Sequence, residues 1–168
     1  LTTAVRLAAE KKEELGLELD LIVVKDTMKT LDQEIAFFAD LGARSFNIWF
    51  VGIEGRCAGS AAELVPRMSE AAPYVMKALA LEDGPAGLKI RSYYMPFCFL
   101  KGREHQVWLP LEENALVVTP GATFKLDVST IEIGIHPPVC DTCGFRNKCP
   151  GISPAYIKRF GAEELEPY

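Results

Sequence analysis

Two periodicities alternate along the first half of this chain, and that alternation limits the fold more than any other feature. Residues 3–15 (Thr3 to Leu15) set Ala4, Leu7, Ala8 and Leu15 among Glu and Lys at helical spacing, and Gly16 is placed to close that helix. Leu17, Leu19 and Leu21 then alternate with Glu18 and Asp20 before Ile22-Val23-Val24. This predicts a strand with one face on a core that becomes buried on both faces at its end. Thr30 and Gln33 fit a capping box, Leu31, Ile35, Phe38 and Leu41 repeat at helical spacing, and Gly42 stops the helix. Ser45 to Val51 reads as a second strand, with Phe46, Ile48 and Phe50 opposite Asn47, Trp49 and Val51. Gly52 to Ser60 reads as a Gly-rich loop. The next helix is firmest from Ser69 to about Leu81, its start disturbed by Pro66 and Pro73, and Leu88 to Tyr94 is a third strand. Helix and strand in turn, three times over, with connections long enough for crossovers, predict a parallel sheet of the α/β class. Three strands and three helices make half a barrel or half an open sheet. With Leu1 already inside a helical pattern, the expectation is that sequence precedes it.

After Pro96 the character changes. Residues 97–139 hold short apolar stretches (Val107 to Leu109, Leu116 to Val118, Phe124 to Val128) broken by Pro and Gly, as irregular segments or a small hairpin would be. Ser153 as N-cap, Pro154 at the first helical position and Gly161 as a stop define a short helix over 154–160. The division is therefore residues 1–96 as a βα region and 97–168 as an irregular extension. The 168 residues include 18 Lys+Arg against 23 Asp+Glu, a net charge of -5 that counts against a nucleic-acid footprint over the whole surface. No apolar run approaches the ~20 residues of a membrane-spanning helix. Nothing marks secretion, so a cytoplasmic setting is expected.

Chemistry concentrates in the five cysteines, Cys57, Cys98, Cys140, Cys143 and Cys149. The last three form C-x2-C-x5-C, followed by Pro150. Two residues between thiolates let a tight turn aim both sulfurs at one metal, and five more return the chain for a third. Gly144 relaxes the turn, and the Cys-Pro ending resembles ferredoxin-type cluster loops. Asp141, Arg146, Asn147 and Lys148 make this a polar loop, a poor place for thiols packed as small hydrophobes. An odd cysteine count in a chain long enough to bury its own core disfavours a disulfide framework. Three sulfurs need a fourth ligand, for which Cys98, His136 and Cys57 are available. His136 would give a three-cysteine, one-histidine zinc set, whereas Cys98 would complete a four-sulfur site for zinc or a [4Fe–4S] cluster. Spacing alone does not choose between the metals. Cys98 stands just past the carboxyl end of the third strand, where parallel α/β folds build their active sites.

Taken together these residues resemble the carboxyl-terminal half of a radical SAM enzyme. Leu21-Ile22-Val23-Val24-Lys25 is similar to the fourth barrel strand of that family. Phe38-Ala39-Asp40-Leu41-Gly42-Ala43 with Phe46-Asn47-Ile48-Trp49-Phe50 resembles its fourth helix and fifth strand, and Gly52-Ile53-Glu54-Gly55 the turn that follows. Leu88 to Cys98 is similar to the sixth strand with its Pro-x-Cys ending. Cys140-x2-Cys143-x5-Cys149-Pro150-Gly151, with Tyr156, Phe160-Gly161, Glu164 and Pro167, looks like the cysteine-rich tail of many members. The C-x3-C-x2-C loop that defines the family is absent from this sequence, and the resemblance would place it upstream.

The resemblance implies a fold, half of a partial (β/α)6 TIM-like barrel followed by a Cys-rich extension, and an enzyme. In the full protein a [4Fe–4S] cluster would bind S-adenosylmethionine, and one electron would cleave it to methionine and a 5′-deoxyadenosyl radical that abstracts hydrogen from a substrate. It further implies a reductant such as ferredoxin or flavodoxin, an auxiliary cluster on Cys98, Cys140, Cys143 and Cys149, and a peptide, nucleotide or small metabolite as substrate. The polar or large groups near strand ends, Lys25, Asn47, Trp49, Tyr94 and Met95, are candidates to line the cofactor side, although strand ends commonly carry such residues for packing or solvation. A zinc-stabilised binding module, with Arg146, Lys148, Lys158 and Arg159 facing RNA, is a second reading, and an iron–sulfur electron carrier a third. His105 and His136 are the only histidines, and neither belongs to a Ser/His/Asp set. There is no phosphate-binding Gly-rich motif, and Glu112-Glu113 and Glu163-Glu164 read as solvated charge.

Overall fold

The computed structural model describes residues 1–11, 17–109, 116–118, 120–125 and 134–168. The expected helix end at Leu15 and Gly16, the Glu112-Glu113 pair and residues 126–128 lie outside these. Three parallel strands, β1 (Glu18–Val23), β2 (Ser45–Phe50) and β3 (Lys89–Tyr93), form one sheet in the order β1-β2-β3. Their register sets Leu21 beside Ile48 and Ile48 beside Ser92. The helices are α1 (Thr2–Glu10), α2 (Leu31–Asp40), α3 (Arg56–Leu64) and α4 (Met68–Leu79), the last running on into a 3-10 turn over Ala80–Asp83. The mixed α/β class expected from the sequence is present; three strands do not close a barrel.

Period-two alternation decides what the sheet buries. Leu21, Val23, Phe46, Ile48, Phe50 and Ile90 share one face and join Leu31 and Ile35 of α2 and Ala71, Val75, Ala78 and Leu79 of α4 in one buried cluster. Each large side chain so covered contributes about 1.5–3 kcal/mol. The other face carries Glu18, Asp20, Ile22, Asn47, Trp49, Arg91 and Tyr93. Ile22 is 48% exposed there, so the end of β1 is not buried on both sides as its apolar run predicts. Asn47 on the same face is buried, and aromatic rings shield one another there: Trp49 stacks on Tyr93 at 4.0 Å, and Tyr93 on Trp108 at 5.0 Å.

Two local expectations are corrected. Gly52 to Ser60 is not a loop throughout, because α3 begins at Arg56. Gly55, with φ 54, makes the turn into it; Ala58, Ala61 and Ala62 favour helix, and the residue that departs from helical backbone is Ser60, not Gly59. The Thr30–Gln33 capping box does not form. The Thr30 hydroxyl turns to the Glu34 carboxylate at 2.6 Å and the Thr27 carbonyl at 3.1 Å, and the chain enters α2 from a 3-10 turn over Met28–Thr30. Pro73 lies inside α4, one turn beyond its start.

The extension contains an antiparallel hairpin, β4 (Leu116–Val118) with β5 (Thr123–Lys125), and a helix, α5 (Pro154–Phe160), at the expected position. Gly161, with φ 77, ends α5 as predicted. The tail is part of the core: Ile152, Tyr156 and Leu165 belong to the buried cluster of the sheet. The first amides of α4, which no helical carbonyl can accept, are taken by the tail and by Glu70. Arg67 N–H donates to Glu70 at 3.1 Å, Met68 N–H to the Tyr156 hydroxyl at 2.6 Å, and Ser69 N–H to Glu164 at 3.0 Å. Tyr156 in turn donates to Glu164. Among the described residues no helix is long and apolar enough to cross a membrane.

Candidate metal centre

Past β3 the chain turns at Tyr94, whose φ of 64 is unusual for a residue with a side chain, and passes Met95 and Pro96 into a 3-10 turn over Phe97–Phe99. That turn presents Cys98 beside the tail. The tail loop is a succession of tight turns: Cys140 N–H donates to Pro137 O, Cys143 N–H to Cys140 O, Arg146 N–H to Cys143 O, and Cys149 N–H to Phe145 O, all at 2.8–3.2 Å. Gly144 has no positive φ; its amide donates to Tyr168 O at 3.0 Å, so it serves close approach to the chain end and does not relax the turn. Phe145 fixes the loop, edge-on to Phe97 at 5.9 Å and tilted on Tyr168 at 4.8 Å.

Cys98, Cys140, Cys143 and Cys149 line one small cleft of about 20 Å³, with His136, Arg146, Ile152 and Leu165 among its walls. All four are half-buried. Burial pushes the Cys98 thiol up to about 11, and the neighbouring Cys149 and Cys140 add to the rise. Burial likewise raises Cys140 and Cys149, with the other cysteine sulfurs as contributors. Opposing this, main-chain N–H groups point at the sulfurs: those of Glu166 and Cys98 at Cys98, and those of Gly151 and Phe97 at Cys149. Desolvated sulfurs with amide donors aimed at them favour a bound, negatively charged sulfur once a cation offsets their repulsion. Among the described residues no Asp or Glu lines the cleft. The donor set thus fits a thiophilic centre, zinc or iron–sulfur. Among the described residues no three His, Cys, Asp or Glu side chains are drawn together tightly enough to hold an ion as they stand.

Of the three residues able to supply a fourth ligand, Cys98 and His136 reach the cleft, and His136 Nε2 lies 3.2 Å from the Cys149 carbonyl oxygen. Cys57 is on α3 and does not line it. The residues expected on the cofactor side scatter. Lys25 donates to Ala62 O at 2.7 Å, and Asn47 to Asp20 at 2.9 Å and Glu18 at 3.3 Å on the polar sheet face. Trp49 donates to Asp20 at 3.0 Å, and Met95 is fully buried.

Tyr94 of that set lines a cavity. That cavity, of about 190 Å³, lies between the end of β2, the start of α4 and the tail, and is lined by Phe50 to Glu54, Met68, Tyr94, Trp108, Ser153 and Tyr156 among others. Gly151 lines both it and the cysteine cleft. Glu54, Trp108 and Ser153 read in the sequence as turn, apolar stretch and N-cap and not as lining residues; the apolar-to-Gly transition Phe50-Val51-Gly52 at a strand's carboxyl end is the available signal. No family model, no curated protein and no solved structure matches this chain.

Proposed function

We propose that this chain is part of a radical SAM enzyme, its three βα units one half of a partial barrel and its tail the holder of an auxiliary iron–sulfur cluster. One observation carries the reading: Cys98, from the rim beyond β3, lines the same cleft as the three tail cysteines. Such a cluster supplies electron transfer, or an iron to which substrate can bind. The chain's own part is to gather four sulfurs, to direct the Glu166, Gly151 and Phe97 amides at them, and to shut out solvent with Phe97, Phe145 and Leu165. S-adenosylmethionine, a ferredoxin or flavodoxin reductant and a cytoplasmic setting belong to this proposal, the last because reduced thiols and oxygen-sensitive clusters need it.

A specific observation favours a second reading, a zinc-stabilised module. A cleft of about 20 Å³ has room for one or two water-sized particles, enough for a single ion, so a four-iron cluster would require the sulfurs to move outward. Oxygen-free purification with metal analysis separates the two. About four irons with sulfide per chain, and a brown colour bleached by reductant, are expected. Stoichiometric zinc without iron would overturn the cluster and leave the zinc module.

A further inference from the structure

The 190 Å³ cavity has chemistry of its own. Its walls are apolar and aromatic, from Phe50, Met68, Tyr94, Trp108 and Tyr156. Glu54 is, among the described residues, the one charged residue in its lining, and no Lys, Arg or His stands there. Among the described residues the Glu54 carboxylate has no hydrogen-bond or ion-pair partner, and the Ser153 hydroxyl, though at an N-cap position, makes no capping bond. A concave aromatic surface with a few uncommitted polar groups is the usual form of a small-molecule site. Size narrows the ligand: an apolar cavity of about 150 Å³ holds one benzene ring, so about 190 Å³ holds one ring with a short side chain. Charge narrows it further. A lone carboxylate beside aromatic faces attracts a cation, by ion pairing and through the ring quadrupoles, and repels carboxylates and phosphates.

We propose that this cavity binds a small arylalkylamine-like ligand, its ring held among Phe50, Tyr94, Trp108 and Tyr156 and its ammonium against Glu54. Among the described residues no cysteine lines this cavity, so its ligand does not depend on what the cysteine cleft holds. Three probes of similar size test it on the full chain purified without oxygen: 2-phenylethylamine, 2-phenylethanol and phenylacetate, titrated by calorimetry and by tryptophan fluorescence. The amine is expected to bind about fivefold tighter than the alcohol, as a partly exposed ion pair allows, and phenylacetate more weakly than either. Glu54→Gln, at an exposed position, should bring the amine to the affinity of the alcohol, while Glu63→Gln on the exposed side of α3 should change nothing. Equal affinity for amine and alcohol in the unaltered chain, or an amine preference that survives Glu54→Gln, would overturn the proposal.

Discussion

At the scale of single residues, the four sulfurs differ in what surrounds them, and that difference is measurable. Cys140→Ala or Cys143→Ala leaves a three-sulfur site and is expected to strip most of the bound metal, since closed metal sites use four ligands. Cys98→Ala should do the same and Cys57→Ala should not, because only the former lines the cleft; metal analysis of the four variants decides. In metal-free protein the Cys98 thiol is raised from 9.0 to about 11. The folded chain therefore keeps a proton that the unfolded chain has lost, and stability falls as pH climbs from about 9 to 11. Urea midpoints across that range should drop less steeply in metal-free Cys98→Ala than in the parent. The C-x2-C-x5-C spacing made three of these residues readable from sequence, and the position just past β3 pointed to the fourth. Lys25, Asn47 and Met95 were not readable as to role. Asn47 is claimed by Asp20 and Glu18 across the strand pair, a neighbour relation that linear order does not contain.

Among the elements, α4 depends for its stability on a distant segment. Tyr156, only 1% exposed, accepts from the Met68 amide and donates to Glu164, which accepts from the Ser69 amide and lies 3.7 Å from Arg67. Tyr156→Phe keeps the ring and its packing against Phe50 at 5.8 Å but leaves a buried amide without an acceptor. The expected cost is about 1–3 kcal/mol, read as a lower urea midpoint with an unchanged slope. If the midpoint does not move, the tail does not cap α4. Periodicity located β1, β2, β3, α2 and α4 within a few residues, and the Ser153, Pro154 and Gly161 signals located α5, because each pattern lies in its own stretch of chain. It missed α3, where glycines at 52, 55 and 59 masked a short helix started by the Gly55 turn. It also set a cap at Thr30, where Glu34 outcompetes the backbone for the hydroxyl.

At the scale of the molecule, sheet and tail share one interior, so a metal held by the tail cysteines would act on the whole. Ile152, Tyr156 and Leu165 are buried in the same cluster as Phe46, Ile48 and Ile90, and Ile135 pairs with Ile152 where Gly134 and Gly151 meet back to back. A Cβ at Gly151 would stand 2.8 Å from the Gly134 carbonyl carbon, so only glycine permits that approach. The segment joined there carries Cys149 on one side and α5 on the other. Loosening the cysteine loop therefore withdraws core residues and helix-capping groups together, and does not merely free a tail. Contiguous burial in a chain of this size unfolds as a unit. Removing the metal with a chelator is accordingly expected to lower the melting temperature of the entire chain. The far-ultraviolet signal of the helices and the near-ultraviolet signal of Trp49 and Trp108 should still move in one coincident transition. An early, separate transition that leaves the sheet's melting temperature where it was in the metal-bound chain would show instead that the cysteine loop is an appendage, and that the buried contacts of Tyr156 and Ile152 do not couple it to the sheet.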